Sequence, residues 1–201
     1  MVRIVRIIIV ILVFLLSNIA FSLSRYVLPC RADLLEESFK MMQRETGTIE
    51  KSVSGQARIK EYLKAVGLAK SNPYCAAGQY WCFSKAISNL NLPHSTIPIP
   101  RSGLASSFFN YAKSKGNRTA FKPKMHDLII WRKGTTKFGH VERIVSVQSG
   151  GWVESIGFNT NKVIDGKAEK GVFLHRRNVY HSLGRMAIRG LAGFITEPVY
   201  D

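Results

Sequence analysis

The first half of the chain carries apolar residues at helical spacing. The clearest case is the segment 57–66, in which Ile59, Tyr62, Leu63 and Val66 form one stripe of a helix. Three other helices are indicated by their ends: Asp33 can cap one, the turn at Asn72-Pro73 precedes another, and Gly116 ends the last. We therefore predict helices over residues 34–42, 57–66, 75–90 and 102–115.

After Lys124 the pattern changes to short apolar runs separated by Gly and Asn, which is typical of strands and turns. We predict strands over residues 128–131, 141–147, 151–156, 172–175 and 193–195. Helices followed by strands indicate an α+β domain, here with N-terminal helices packed on an antiparallel sheet. The sequence has no internal repeat and no sign of a second domain.

Residues 1–24 differ from the rest of the chain. Two arginines precede an unbroken apolar run over residues 7–16, and small and polar residues follow it. This order is typical of a secretory signal peptide, with cleavage expected after Ser22 or Ser24. The run is short for a membrane span, which needs ~20 apolar residues, and an uncleaved N-terminal anchor is the alternative. We predict export to the periplasm or the exterior, with the mature domain at residues 33–197.

The charge limits the classes of partner. The chain has 201 residues, of which 46% are hydrophobic, and a formal net charge of +16. For an exported protein this charge favours anionic wall polymers or lipid head groups as partners; a solvated surface without a particular partner is the alternative. We expect no nucleic acid, because the sequence has no helix-turn-helix, zinc-binding or RNA-binding signature. A monomer is expected.

Cys75 lies at the predicted start of a helix. Asn72-Pro73 indicates a turn, because the residue before a proline is disfavoured in the helical region, and the helix then begins at Cys75. The unpaired N–H groups and the positive dipole end of a helix start favour a thiolate over a thiol. Cys75 is therefore a candidate nucleophile. The alternative is a small buried apolar residue, as most free cysteines are.

The other two cysteines are Cys30 and Cys82. On one helix, Cys75 and Cys82 would lie ~10 Å apart, too far for a disulfide, which needs Cα atoms within ~7 Å. We therefore expect Cys82 in the core. A bridge between Cys30 and Cys82 is left open by the sequence.

A cysteine nucleophile needs a base, and the base needs an orienting partner. His140 follows Gly139 at the start of a predicted strand, and Asn159 ends the next one. Adjacent antiparallel strands would bring both to one rim of the sheet. Four other histidines are available by composition: His94, His126, His175 and His181.

Three residues are candidates for orienting the imidazole of His140. Glu142 shares its face of the strand but lies two residues along the same strand, which suggests an awkward angle. Glu154 points to the opposite face from Asn159. Asn159, on the neighbouring strand, can accept a hydrogen bond from the ring through its side-chain carbonyl. We predict the set Cys75, His140 and Asn159.

The chain resembles the CHAP domain, the cysteine- and histidine-dependent amidohydrolase/peptidase family of papain-like cell-wall hydrolases. Residues 74–82 are similar to the nucleophile helix of that family, 139–141 to its histidine strand and 157–161 to its asparagine motif. The resemblance covers residues 35–197.

The chain also departs from the family pattern. Many relatives have Glu two residues before the asparagine, where this chain has Gly157. Gly78 replaces a large apolar residue, and Glu142-Arg143 replace small and apolar residues after His140. None of these changes removes the nucleophile or the base, so we expect activity with altered rate and substrate fit.

The resemblance implies a hydrolase that cleaves an amide bond of peptidoglycan, as an amidase or an endopeptidase. Cys75 would attack as a thiolate, His140 would pass the proton to the leaving amine, and Asn159 would hold the imidazole. The N–H of Cys75 is the expected oxyanion donor, and no metal or other cofactor is expected. The alternatives are a catalytically weak wall-binding module and a lytic toxin with the same chemistry.

Overall fold

The computed structural model describes residues 23–69 and 71–197. Apart from its last two residues, the predicted signal peptide lies outside the described residues. The main elements in chain order are β1 (Arg25–Arg31), α1 (Ala32–Glu45), α2 (Val53–Ala65), α3 (Cys75–Asn89), α4 (Ala105–Lys115), β2 (Asn117–Thr119), β3 (Leu128–Arg132), β4 (Gly139–Val147), β5 (Trp152–Ile164), β6 (Lys167–Asn178) and β7 (Ala187–Glu197). No helix of the described ranges is both long enough and apolar enough to cross a membrane.

The strands of the described residues form one sheet in the order β2-β1-β7-β3-β4-β5-β6. Consecutive strands from β3 to β6 pair in an antiparallel manner, as hairpin-like connections allow. With the helices packed on this sheet, the predicted α+β class is confirmed. The prediction of an antiparallel sheet is wrong in one place, because β1 and β7 pair in parallel.

The strand β1 precedes the described helices and was missed in the sequence analysis. Pro29 interrupts its apolar pattern; in the structure this residue is exposed and lies beyond the stretch of β1 that pairs with β2. Arg25 is buried, and its Nε and Nη2 bind the two carboxylate oxygens of Asp127 at 2.7 and 2.8 Å. A local pattern cannot indicate this strand, because the partner of Arg25 comes from a distant part of the chain.

The helix α3 lies at the centre of the domain, between α1, α2 and the sheet. Its side chains are buried on nearly all sides, which is typical of a helix enclosed by other elements. Gly78 lets the helix approach β5 closely, because a Cβ at this position would collide with the ring of Phe158. This contact fixes the start of α3 against the sheet.

Arg143 ties α1 to β4 from the helix-covered face of the sheet. It is fully buried, and its guanidinium donates to Ser38 Oγ at 3.0 Å and to the carbonyl oxygen of Leu35 at 2.9 Å. The rings of Phe39 and Phe83 lie 5.5 and 5.2 Å from the guanidinium carbon, at distances where a cation attracts an aromatic face. Since side chains alternate along a strand, Glu142 and His140 point to the other face of β4.

The three cysteines of the chain are buried thiols, and none is in a disulfide. The bridge between Cys30 and Cys82 that the sequence left open is therefore not formed. Cys30 lies in β1, and its thiol donates to the carbonyl oxygen of Arg31 at 3.4 Å. Cys82 lies in α3, among the aromatic residues that pack between the helices and β5.

Candidate active site

The first residue of α3 is Cys75, as predicted. The N–H of Gly78 makes the first backbone hydrogen bond of this helix, to the carbonyl oxygen of Tyr74. The N–H groups before it are therefore free of intrahelical partners, as at every helix start. The Cys75 side chain is 3% exposed and lies at the edge of a cleft.

The strand β4 brings His140 to this thiol. Cys75 Sγ lies 4.0 Å from the carbonyl oxygen of Gly139, and the imidazole of His140 is hydrogen-bonded to the thiol. Gly139 allows this strand to begin close to β3, because a Cβ there would collide with the carbonyl oxygen of Trp131. Two of the three predicted site residues are thus in contact.

The two groups shift each other's protonation. Burial alone would raise the pKa of Cys75, but the hydrogen bond and the positive charge of His140 bring it below its ordinary value. Burial alone would lower the pKa of His140, but Cys75 and Glu142 together raise it to about 9. Because the shifts are opposite, each group favours the charged form of the other, a thiolate next to an imidazolium.

Glu142 contacts the other side of the imidazole. Its Oε1 lies 3.1 Å from Nε2 of His140, which leaves Nδ1 for the sulfur. Arg177 of β6 binds both carboxylate oxygens, with Nη2 2.7 Å from Oε1 and Nε 3.0 Å from Oε2. Ser155 of β5 donates to Oε2 at 2.6 Å. Burial would raise the pKa of Glu142, but the contacts with His140 and Arg177 lower it to about 2, so the carboxylate is ionised.

The predicted hydrogen bond between Asn159 and His140 is wrong. Asn159 lies at a bulge where the pairing of β5 with β6 shifts register, and its φ of 60° is in the left-handed region. Its buried Oδ1 has no hydrogen-bond partner among the described residues. The position that we expected Asn159 to fill is occupied by Glu142. The signal for Glu142 was its spacing from His140, since residues two apart on a strand share a face.

The remaining histidines have other surroundings. His126 lies beside the buried guanidinium of Arg143, with Nδ1 3.4 Å from Nη2. His175 pairs with Ser155 across β5 and β6, and burial lowers its pKa. His94 and His181 are exposed.

A cleft with a volume of about 530 Å³ opens over Cys75. Its apolar walls include Leu68, Leu104 and Phe138, all of which are exposed large hydrophobic residues. Arg101 and Lys137 also line it. Arg101 Nε donates to the carbonyl oxygen of Ala65 at 2.8 Å, which holds the guanidinium at the cleft. Within the described part of the chain, no acidic side chain lines this cleft.

The comparison with protein families agrees with this geometry. Residues 67–159 match the family model of the CHAP domain. The resemblance to the CHAP domain is thereby confirmed over this segment, which includes Cys75, His140, Glu142 and Asn159. CHAP domains are generally cysteine- and histidine-dependent amidohydrolases or peptidases that act on peptidoglycan, and the match suggests a hydrolase of this type. No curated protein and no solved structure matched the chain.

Proposed function

We propose that the protein is an exported cysteine hydrolase that cleaves an amide bond of peptidoglycan. The observation that carries this proposal is the contact between the Cys75 thiol, at the start of α3, and the imidazole of His140, at an open cleft. Opposite pKa shifts on the two groups favour a thiolate nucleophile beside an imidazolium acid. The basic and apolar pattern of residues 1–24 supports export to the compartment that holds the substrate.

In the proposed reaction, the Cys75 thiolate attacks the amide carbon and forms a C–S bond. The carbonyl oxygen becomes an oxyanion, to which the N–H of Cys75 donates. The C–N bond then breaks, and the imidazolium of His140 gives its proton to the leaving amine. Water attacks the thioester, His140 accepts a proton from it, and the carboxylic acid leaves with the thiolate regenerated.

The cleft supports peptidoglycan as the substrate class. The stem peptides of peptidoglycan combine alanine methyl groups with several free carboxylates. Arg101 and Lys137 offer positive charge to carboxylates, while Leu68, Leu104 and Phe138 offer apolar surface to methyl groups. The formal net charge of +16 adds a long-range attraction to anionic wall polymers.

Digestion of purified peptidoglycan tests the proposal. We expect the protein to release fragments that each carry a new amine or a new carboxylate, and mass spectrometry of these fragments identifies the bond that is cut. Prior alkylation of the Cys75 thiol should block their release. Binding to the wall without any released fragment would contradict a hydrolase and favour a wall-binding module.

A further inference from the structure

The side chain of Glu142 lies over Gly157 of the neighbouring strand. Glu142 of β4 pairs with Gly157 of β5 in the antiparallel ladder. A Cβ added to Gly157 would lie 2.8 and 2.9 Å from Cγ and Cδ of Glu142, and 2.6 Å from the Thr160 methyl group. Real Cβ atoms do not approach other atoms so closely. The glutamate side chain therefore occupies the space that any side chain at position 157 would need.

Partners from two further strands hold the carboxylate in that space. Glu142 is fully buried, and a buried charge is costly unless it is paired. Arg177 supplies the countercharge from β6 and Ser155 a hydroxyl from β5. These contacts turn the carboxylate towards Nε2 of His140, although both residues belong to one strand.

We propose that Glu142 is the residue that positions His140, and that Gly157 provides the space that this requires. A carboxylate that accepts from Nε2–H directs Nδ1 towards Cys75 and stabilises the imidazolium. Because the carboxylate lies over position 157, a glutamate at 157 can supply it from the opposite strand once Glu142 is removed. The reaction that Glu142 serves is the hydrolysis proposed above, but its effect on the Cys75–His140 pair does not depend on the substrate.

The first experiment replaces the charge while it keeps the shape. Glu142→Gln should lower turnover of peptidoglycan by at least ~10-fold. The rate of Cys75 alkylation by iodoacetamide, measured against pH, should show a higher apparent pKa for the thiol. The titratable and charged groups around the pair are Glu142 on β4, His175 and Arg177 on β6, Tyr74 next to Cys75, and Arg101 and Lys137 in the cleft. The same titration is therefore run on Arg177→Gln, which should shift in the same direction by less.

Glu154→Gln is the matched control for Glu142→Gln. Glu154 accepts a hydrogen bond from Ser146 at 2.8 Å, much as Glu142 accepts one from Ser155, but no contact joins it to His140 among the described residues. Turnover and the alkylation profile of Glu154→Gln should match the wild type. If Glu142→Gln also matches the wild type in both measurements, Glu142 does not position His140 and the proposal is overturned.

The second experiment moves the carboxylate to the opposite strand. Thr160→Ser first removes the methyl group that would crowd a side chain at 157. In this background, Glu142→Ala should be nearly inactive, and adding Gly157→Glu should restore at least ~10-fold of the lost turnover. Adding Gly157→Gln instead fills the same space without the charge and should restore little. A folded Glu142→Ala, Gly157→Glu variant no more active than its glutamine counterpart would overturn the role given to Gly157.

Circular dichroism of each variant separates lost folding from lost catalysis. If Glu142→Ala fails to fold, the shape-conserving Glu142→Gln and its alkylation profile decide the proposal. Failure of the proposed function has a different signature. Wild-type protein that releases nothing from peptidoglycan, yet shows a low thiol pKa that rises in Glu142→Gln, would reject the substrate and support the positioning role.

Discussion

The two cysteines of α3 lie two helical turns apart and have opposite chemistry. Cys75 begins the helix, contacts His140 and has a lowered pKa. Cys82, in the middle of the same helix, is fully buried, and burial raises its pKa. Both thiols are deep in the protein, so burial alone does not distinguish a nucleophile from a core residue.

The nearest charged group accounts for the difference. At Cys75 the partner is an imidazole that hydrogen-bonds the sulfur and donates a second hydrogen bond to the carboxylate of Glu142. At Cys82 a positive charge is also close, since Arg143 lowers the thiol pKa, but not by enough to offset burial. The guanidinium of Arg143 is directed at Ser38 and the carbonyl oxygen of Leu35 instead. The cation that hydrogen-bonds the sulfur outweighs burial at Cys75, whereas the nearby guanidinium does not outweigh it at Cys82.

Truncation of each cysteine gives the largest expected contrast. Cys75→Ala should lower turnover of peptidoglycan by ~10³-fold or more, because the nucleophile is lost, with unchanged circular dichroism. Cys82→Ala should keep turnover per folded molecule and cost about 1–2 kcal/mol of unfolding free energy as a core truncation. Urea unfolding and fragment release measure the two effects. Full activity of Cys75→Ala would show that Cys75 is not the nucleophile.

The pH dependence should sharpen the same contrast. Activity needs the Cys75 thiolate and the His140 imidazolium together, so it should rise as pH passes the lowered pKa of Cys75. It should then fall as pH passes about 9, where His140 loses its proton. At pH 7 iodoacetamide should modify Cys75 at least ~10²-fold faster than Cys82, which combines a raised pKa with complete burial. Equal rates at the two cysteines, measured by peptide mass mapping, would contradict the assignment.

Much of this site could be predicted from the sequence, because the features that place Cys75 and His140 are local. The turn at Asn72-Pro73 indicated that a helix begins at Cys75, and Gly139-His140 was placed at the start of a strand, as found. The orienting residue was not predicted correctly. Alternation along β4 did put Glu142 on the face of His140, but its reach depends on space over Gly157 and on partners that come from other strands. Such contacts between distant segments have no local pattern.

In the fold, too, local features could be predicted and contacts between distant segments could not. Helical spacing in α2 and local start and stop signals in the other helices identified the helices and the class, because these signals lie within each segment. The parallel pairing of β1 with β7 joins the two ends of the described chain. The buried charge of Arg25 in β1 is paired with Asp127, which comes from a distant part of the chain. Neither feature can be obtained from a window of neighbouring residues.

Access to substrate is a further difference between the two cysteines, because Cys75 lines the cleft and Cys82 does not. Arg101→Ala should raise the KM for an acidic stem peptide by roughly 10-fold, the loss of a charge-assisted hydrogen bond of about 1.5 kcal/mol, and should change kcat little. Arg118→Ala, on the short strand β2 and outside the cleft lining, is the control. A normal KM in Arg101→Ala would exclude this residue from substrate binding.

Asn159 should give the smallest effect on the reactivity of Cys75. Its side-chain Oδ1 has no partner in the described structure, whereas its φ of 60° is a conformation that Asn adopts more readily than Ala. Asn159→Gly keeps this backbone and removes the side chain, so turnover and the alkylation profile should stay within ~2-fold of the wild type. Asn159→Ala should cost about 1 kcal/mol of unfolding free energy through backbone strain, with turnover again near normal. If a stable Asn159→Gly variant lost ~10-fold or more of the turnover, the asparagine side chain would contribute to the reactivity that distinguishes Cys75 from Cys82.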